Sequence, residues 1–140
     1  MHAIRLRGPW EFSIRGTTVA GRIDFPYTWR QLTAAIASAA GNSMNWTTAT
    51  LLRGFHRPTG LQAGDRVLLS LAYAGGKLTA RLNGGSLPLH DRPGGSFEAD
   101  ISSQLADHNE LAVEIGPPSP ALLDSTAPVL VATLEIHSAS

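Results

Sequence analysis

Cysteine is absent from this chain, which removes disulfides, thiolate nucleophiles and zinc–thiolate centres from consideration. Charge is sparse as well: eleven basic and eleven acidic side chains cancel to a net charge of zero. Without a positive field, the chain has nothing to gather nucleic acid or an anionic membrane surface. Ten arginines stand against one lysine, but they are scattered along the sequence, so the bias reads as genome composition rather than phosphate recognition. No apolar run approaches the ~20 residues needed to span a bilayer. Near the N-terminus, Arg5 and Arg7 interrupt what would have to be the apolar stretch of a secretion signal. The expectation is therefore a soluble, cytoplasmic protein, in which the sequon Asn45-Trp46-Thr47 is a coincidence.

What the sequence does contain is alternation. Phe97, Ala99 and Ile101, then Leu111, Val113 and Ile115, place apolar side chains at every second position, the mark of strands with one buried face. Ser102–His108 between them is short and polar and reads as a single helical turn. The same period marks Ile4 with Leu6, then Trp10, Phe12 and Ile14, and the closing run Leu130 to Ile136. Thr17–Ile23 and Thr47–Arg57 are β-rich. Val67–Tyr73 is apolar on both faces and predicts a central strand; after Gly75-Gly76, Leu78, Ala80 and Leu82 return as the second arm of a hairpin. Gly84–Gly95, with four glycines and two prolines, reads as loop. Thr28 and Gln31 have the spacing of a capping box, and an alanine-rich run leads to Gly41-Asn42. That segment is either one short helix or an alanine loop. The sum is a single-domain, all-β sandwich of about eight strands and at most one short helix over residues 1–140, its last strand returning beside its first.

These residues, taken in order, resemble the N-terminal sugar-binding jelly roll of β-galactosidase and β-glucuronidase hydrolases, part of the galactose-binding-like group. The resemblance runs through Trp10-Glu11-Phe12, Pro26–Trp29, Arg53-Gly54-Phe55-His56-Arg57-Pro58, Arg66–Leu71, Leu82-Asn83-Gly84, Phe97–Ile101 and Asn109–Ile115. Most of these positions have structural reasons: Asn83-Gly84 suits a tight turn, Asp100 precedes the helical turn, Asn109 can bond backbone where the next strand starts, and Phe97, Leu111 and Val113 are core. Leu51 departs from the pattern, standing where the family commonly has an aromatic. The segment after Ile115 also departs, since it lacks the Asp- and Gly-containing loop that reaches a neighbouring barrel in some relatives. The catalytic barrel and its two carboxylates are missing, so the resemblance implies an accessory domain.

No catalytic constellation accompanies the scaffold. Glycoside hydrolysis needs two carboxylates of separated pKa flanking one bond, yet the glutamates mostly alternate outward on strands and the aspartates sit beside turns. Gly94-Gly95-Ser96-Phe97-Glu98 is not a Gly-x-Ser-x-Gly elbow. His2, His56, His90, His108 and His137 lie in separate segments without metal-ligand spacing, and the double glycines are turns rather than phosphate loops. Asp91, Asp100 and loop carbonyls are oxygen donors of the kind calcium takes, but no dense acidic loop surrounds them; neither metal nor cofactor is expected. Sugar binding needs an aromatic face and bidentate polar groups. Trp29, Arg30, Trp46, His90, Asp91 and Arg92 are the loop-located candidates, with a core role as the competing reading for both tryptophans and a local ion pair for the charged trio. The expectation is a non-catalytic carbohydrate-binding-like module, an accessory to a partner hydrolase. The alternative is a protein-interaction sandwich forming homo- or hetero-oligomers such as a homodimer. A shallow enzyme site built on His90 and Asp91 is the third reading.

Overall fold

The computed structural model describes residues 1–139. In chain order the strands are β1 (His2–Arg5), β2 (Trp10–Ile14), β3 (Ala20–Ile23), β4 (Ala49–His56), β5 (Arg66–Tyr73), β6 (Leu78–Leu82), β7 (Gly85–Ser86), β8 (His90–Arg92), β9 (Ser96–Asp100), β10 (His108–Ile115) and β11 (Leu130–His137). They form two antiparallel sheets, ordered β1-β11-β5-β9-β8 and β3-β2-β4-β10-β6-β7. One helix, α1 (Trp29–Ala40), follows β3, and a short 3-10 turn (Pro120–Asp124) precedes β11.

Alternation decides which face each strand buries. Trp10, Phe12 and Ile14 on β2, Leu69 and Leu71 on β5, Leu111 and Val113 on β10, and Ala132 and Leu134 on β11 all lie in one shared core. Their outward neighbours are mostly half-buried or exposed, as period two requires, with Leu68 and Ala112 covered as well. β5 holds the middle of the five-stranded sheet, and β11 pairs with β1 through His2↔Ile136 to Arg5↔Thr133. The helix reading prevails over the alanine loop. Thr28 Oγ1 accepts the Gln31 amide and Gln31 Oε1 accepts the Thr28 amide, while Gly41 stops the helix at φ 81°. Leu32 and Ile36, one turn apart, seal α1 onto the core.

Three expectations change. β5 and β6 are not a hairpin: β5 pairs with β9 and β11, whereas β6 pairs with β10 and β7 in the other sheet. Gly75 and Gly76 do not take the positive φ of a primed two-residue turn. They carry the chain across the sandwich, so the two apolar faces meet through the core instead of lying side by side. Second, Gly84–Gly95 is not continuous loop. Asn83 and Gly84, at φ 52° and 85°, turn β6 straight into β7, and Gly94-Gly95 turn β8 into β9. Third, Phe97 is half-buried rather than core, because it lies near the open start of β9.

Asn109 is the one buried polar side chain among the described residues. Its Oδ1 accepts from the Ala106 amide at 2.8 Å and from Asn83 Nδ2 at 3.0 Å; its Nδ2 donates to the Ala106 and Phe55 carbonyls. Every hydrogen-bonding position of the amide is used, which is how a polar group tolerates the core.

Candidate functional site

One cleft opens between the two sheets where β5 hands over to β6. It has a volume of about 560 Å³. Tyr73 closes β5 on one side, Lys77 leads into Leu78 and Thr79 at the start of β6 on the other, and Asp91, Arg92, Ser96 and Phe97 come from the β8–β9 pair. The floor follows from strand register. Leu71, Phe97 and Asp91 are paired in sequence across β5, β9 and β8. Residues directly opposite one another share a sheet face. That row therefore runs from a fully buried aliphatic, through a half-buried aromatic, to an exposed carboxylate. An apolar ring face beside one charged acceptor is the result.

Tyr73 forms the inner wall. Burial pushes its hydroxyl up to about 12, so it stays a neutral phenol over any ordinary pH. Its ring packs over Gly75, where an added Cβ would come within 2.4 Å of Cζ. Trp29 braces it from below, edge-on at 6.2 Å and 61°.

The six candidate residues are distributed unevenly around this cleft. Asp91 and Arg92 line it. On β8 the side chains alternate, so His90 and Arg92 turn to the sheet face opposite Asp91. There Arg92 Nη1 meets Glu98 Oε2 at 3.1 Å and Glu135 Oε2 at 3.5 Å. His90 and Asp91 thus do not converge on one bound group. Trp29 is fully buried and its indole N–H donates to the Ala74 carbonyl, which leaves no ring face for a ligand. Arg30 is exposed on α1 and pairs with Asp124 at 2.8 Å. Trp46 is half-buried and packs against the core away from the cleft.

Lys77, Thr79, Tyr73 and Phe97 complete the cleft without having been singled out as site residues. The available signal was Lys77, the sole lysine, directly after a double glycine. Phe97 was hidden by its good strand period, which makes a cleft aromatic look like a core one.

Among the described residues, Asp91 is the only carboxylate lining the cleft. Other acids are tied to arginines: Glu114 to Arg15 and Arg81, and Glu98 and Glu135 to Arg92. Among the described residues, no three His, Asp or Glu side chains are placed to share a metal ion. No helix among them is long and apolar enough to cross a membrane.

The fold and cleft define a jelly-roll β-sandwich. The same fold occurs as one part of larger solved proteins. An FMN-binding β-glucuronidase from Facaelibacterium prausnitzii L2-6 is 22% identical with a TM-score of 0.65; the match covers 95% of this chain and 22% of that one. A β-D-glucuronidase from Dictyoglomus thermophilum is 15% identical with a TM-score of 0.70, covering 97% and 28%. A glycosyl hydrolase family 2 member from Bacteroides cellulosilyticus DSM 14838 is 14% identical with a TM-score of 0.64, covering 97% and 21%. The chain thus spans less than a third of these enzymes, and the likeness is one of fold. It agrees with the resemblance carried by the sequence motifs. No protein-family model matches the chain, and no curated protein does.

Proposed function

We propose that this chain is a non-catalytic carbohydrate-binding module, an accessory to a glycoside hydrolase. A saccharide lies in the β5–β6 cleft with the C–H face of one ring on Phe97 and its hydroxyls bonded to Asp91, Lys77 and Thr79. The observation that carries this reading is the half-buried Phe97 set beside Asp91 in one register row. Apolar ring contact with a few fixed polar groups is the ordinary chemistry of a small-ligand pocket. The similar structures are sugar hydrolases by name, which supports the substrate class. A lone cleft carboxylate supports the absence of hydrolysis, since that reaction takes two.

An alternative role as an interaction module, assembling through an apolar face, finds little surface for it. Met1 is the one large exposed apolar side chain among the described residues. The edges of β1, β3, β7 and β8 are what remain for association with a second copy or a partner hydrolase.

Titration with a panel of neutral and uronic saccharides tests the function. Binding that weakens about ten-fold in Phe97→Ala, the loss of ~1.4 kcal/mol of aromatic contact, is expected. Asp91→Asn should weaken it too, and Arg30→Ala should not. No binding across the panel by the folded protein, or equal binding by Phe97→Ala, would remove this reading.

A further inference from the structure

The outer face of the six-stranded sheet carries a histidine pair whose members lie far apart in sequence. His56 ends β4 and His108 begins β10, and the two stand directly opposite in the antiparallel register. Alternation sets their side: Leu51, Leu111 and Val113 are buried in the core, so His56 and His108, an odd number of residues away, point out. Both are exposed. Their rings meet edge to face with centroids 4.6 Å apart. Gly54 and Glu110 form the next outward row. A Cβ built on Gly54 would meet only the Asn109 carbonyl oxygen, at 3.6 Å, so no side chain from that row covers the imidazoles.

Spacing decides what the pair can hold. An imidazole nitrogen binds a first-row metal at about 2.0–2.1 Å, which puts the ring centroid roughly 3.2 Å from the ion. Two rings at right angles about one ion then have centroids about 4.5 Å apart, and at the tetrahedral angle about 5.2 Å. The observed 4.6 Å matches the right angle of square-planar or octahedral coordination, the geometry of copper(II) and nickel(II) rather than of structural zinc. Exposed side chains are free to turn a nitrogen of each ring toward one ion. The surrounding charge agrees. Glu110 lies two residues from His108 on the same face and makes no ion pair among the described residues. Arg53 and Arg57 fall on the opposite side by the same alternation, and Arg81 is tied to Glu114.

We infer that His56 and His108 chelate one divalent transition-metal ion of the copper(II) or nickel(II) kind, clipping the end of β4 to the start of β10. Neutral imidazole is a preferred ligand of such ions. Among the described residues no third His, Asp or Glu is placed to join the pair, so water or an outside ligand fills the remaining positions. Glu110 acts through its charge and not as a ligand. The site is separate from the β5–β6 cleft, which adjoins the far end of β10, where Ile115 pairs with Leu78.

The experiment is a titration of the intact chain with copper(II) at neutral pH in a non-coordinating buffer, followed by calorimetry and by paramagnetic broadening of the imidazole NMR signals. His56 and His108 should broaden first and together, with one ion bound per chain and a Kd on the order of 10 µM. His56→Gln and His108→Gln should each weaken copper about 100-fold, because the second imidazole of a chelate binds intramolecularly. Both positions are exposed, so each variant should keep the parent's circular dichroism spectrum. His2→Gln and His90→Gln, at exposed positions on other strands, should leave the affinity unchanged. Broadening that begins at His2, His90 or His137, an affinity untouched by either substitution at the pair, zinc bound more tightly than copper, or no binding at ~1 mM copper would each overturn the assignment.

Discussion

Single side chains in this protein are asked to close gaps that backbone pairing leaves. Asn109 joins the turn after β9, the end of β4 and the β6–β7 turn through four hydrogen bonds made at a buried position. Asn109→Ala strands the Ala106 amide and the Asn83 side chain together. The variant should lose about 2–4 kcal/mol of stability, since each buried partner left unmade costs ~1–3 kcal/mol; chemical denaturation measures it. Ser102 plays a comparable part at the other end of the same turn. Its hydroxyl donates to Asp100 at 2.6 Å and accepts the Val67 amide at 2.8 Å. The Ser102 hydroxyl and amide, with Arg66 adding to them, hold the Asp100 carboxyl below the ordinary carboxylate range. A lowered folded-state value means the unfolded chain binds the proton more readily. The stabilisation is therefore complete above the ordinary value of about 4 and fades as pH falls through the lowered one. Ser102→Ala should move the Asp100 titration upward by NMR and flatten the acid end of the stability curve. Asp100 is largely exposed, so the effect is small beside that of Asn109.

At the level of elements, local chemistry and long-range pairing part company. Helix α1 is written into its own ends: Thr28, Gln31 and Gly41 supply both caps. Thr28→Ala should cost about 1 kcal/mol in thermal or urea unfolding. The strands β2, β5, β10 and β11 were equally legible, because alternation encodes one buried face. What alternation cannot encode is which strand lies beside which. β5 and β6 each carry an apolar stripe that suits a hairpin and a crossing between sheets alike, and neither stripe selects between them; in the fold Gly75 and Gly76 lack the positive φ of a primed turn. Gly75 is also where the fold meets the cleft. A methyl group there would press on the Tyr73 ring, so Gly75→Ala should destabilise by roughly 1–3 kcal/mol. It should also disturb the tyrosine's near-ultraviolet circular dichroism signal, whereas Gly76→Ala, with open space around its Cβ position, should do neither.

Across the whole molecule, composition described the chain better than it described any site. A net charge of zero excluded a global field and the histidines were scattered, yet His56 and His108 come together from two strands at one end of the sandwich. The β5–β6 cleft draws on four strands that lie close together in sequence, from Tyr73 to Phe97, but belong to two different sheets. His90, Asp91 and Arg92 are adjacent in sequence and were read together, but the pleat sends them to opposite faces. Strand edges too short to show a period, β7 and β8, were invisible inside glycine-rich sequence. Sites of this kind are made by register, which no single segment contains.

The pairing of β1 with β11 sets His2 against Ile136, and directly opposed Cα atoms in antiparallel strands are ~4.5–5.5 Å apart. The polypeptide therefore leaves the sandwich almost where it enters. A short Gly-Ser bridge across that gap, with new ends cut at the exposed Asn42-Ser43, should give a circular permutant with the parent's circular dichroism spectrum. For the same reason the sandwich could be spliced into a surface loop of an unrelated host without prising that loop apart.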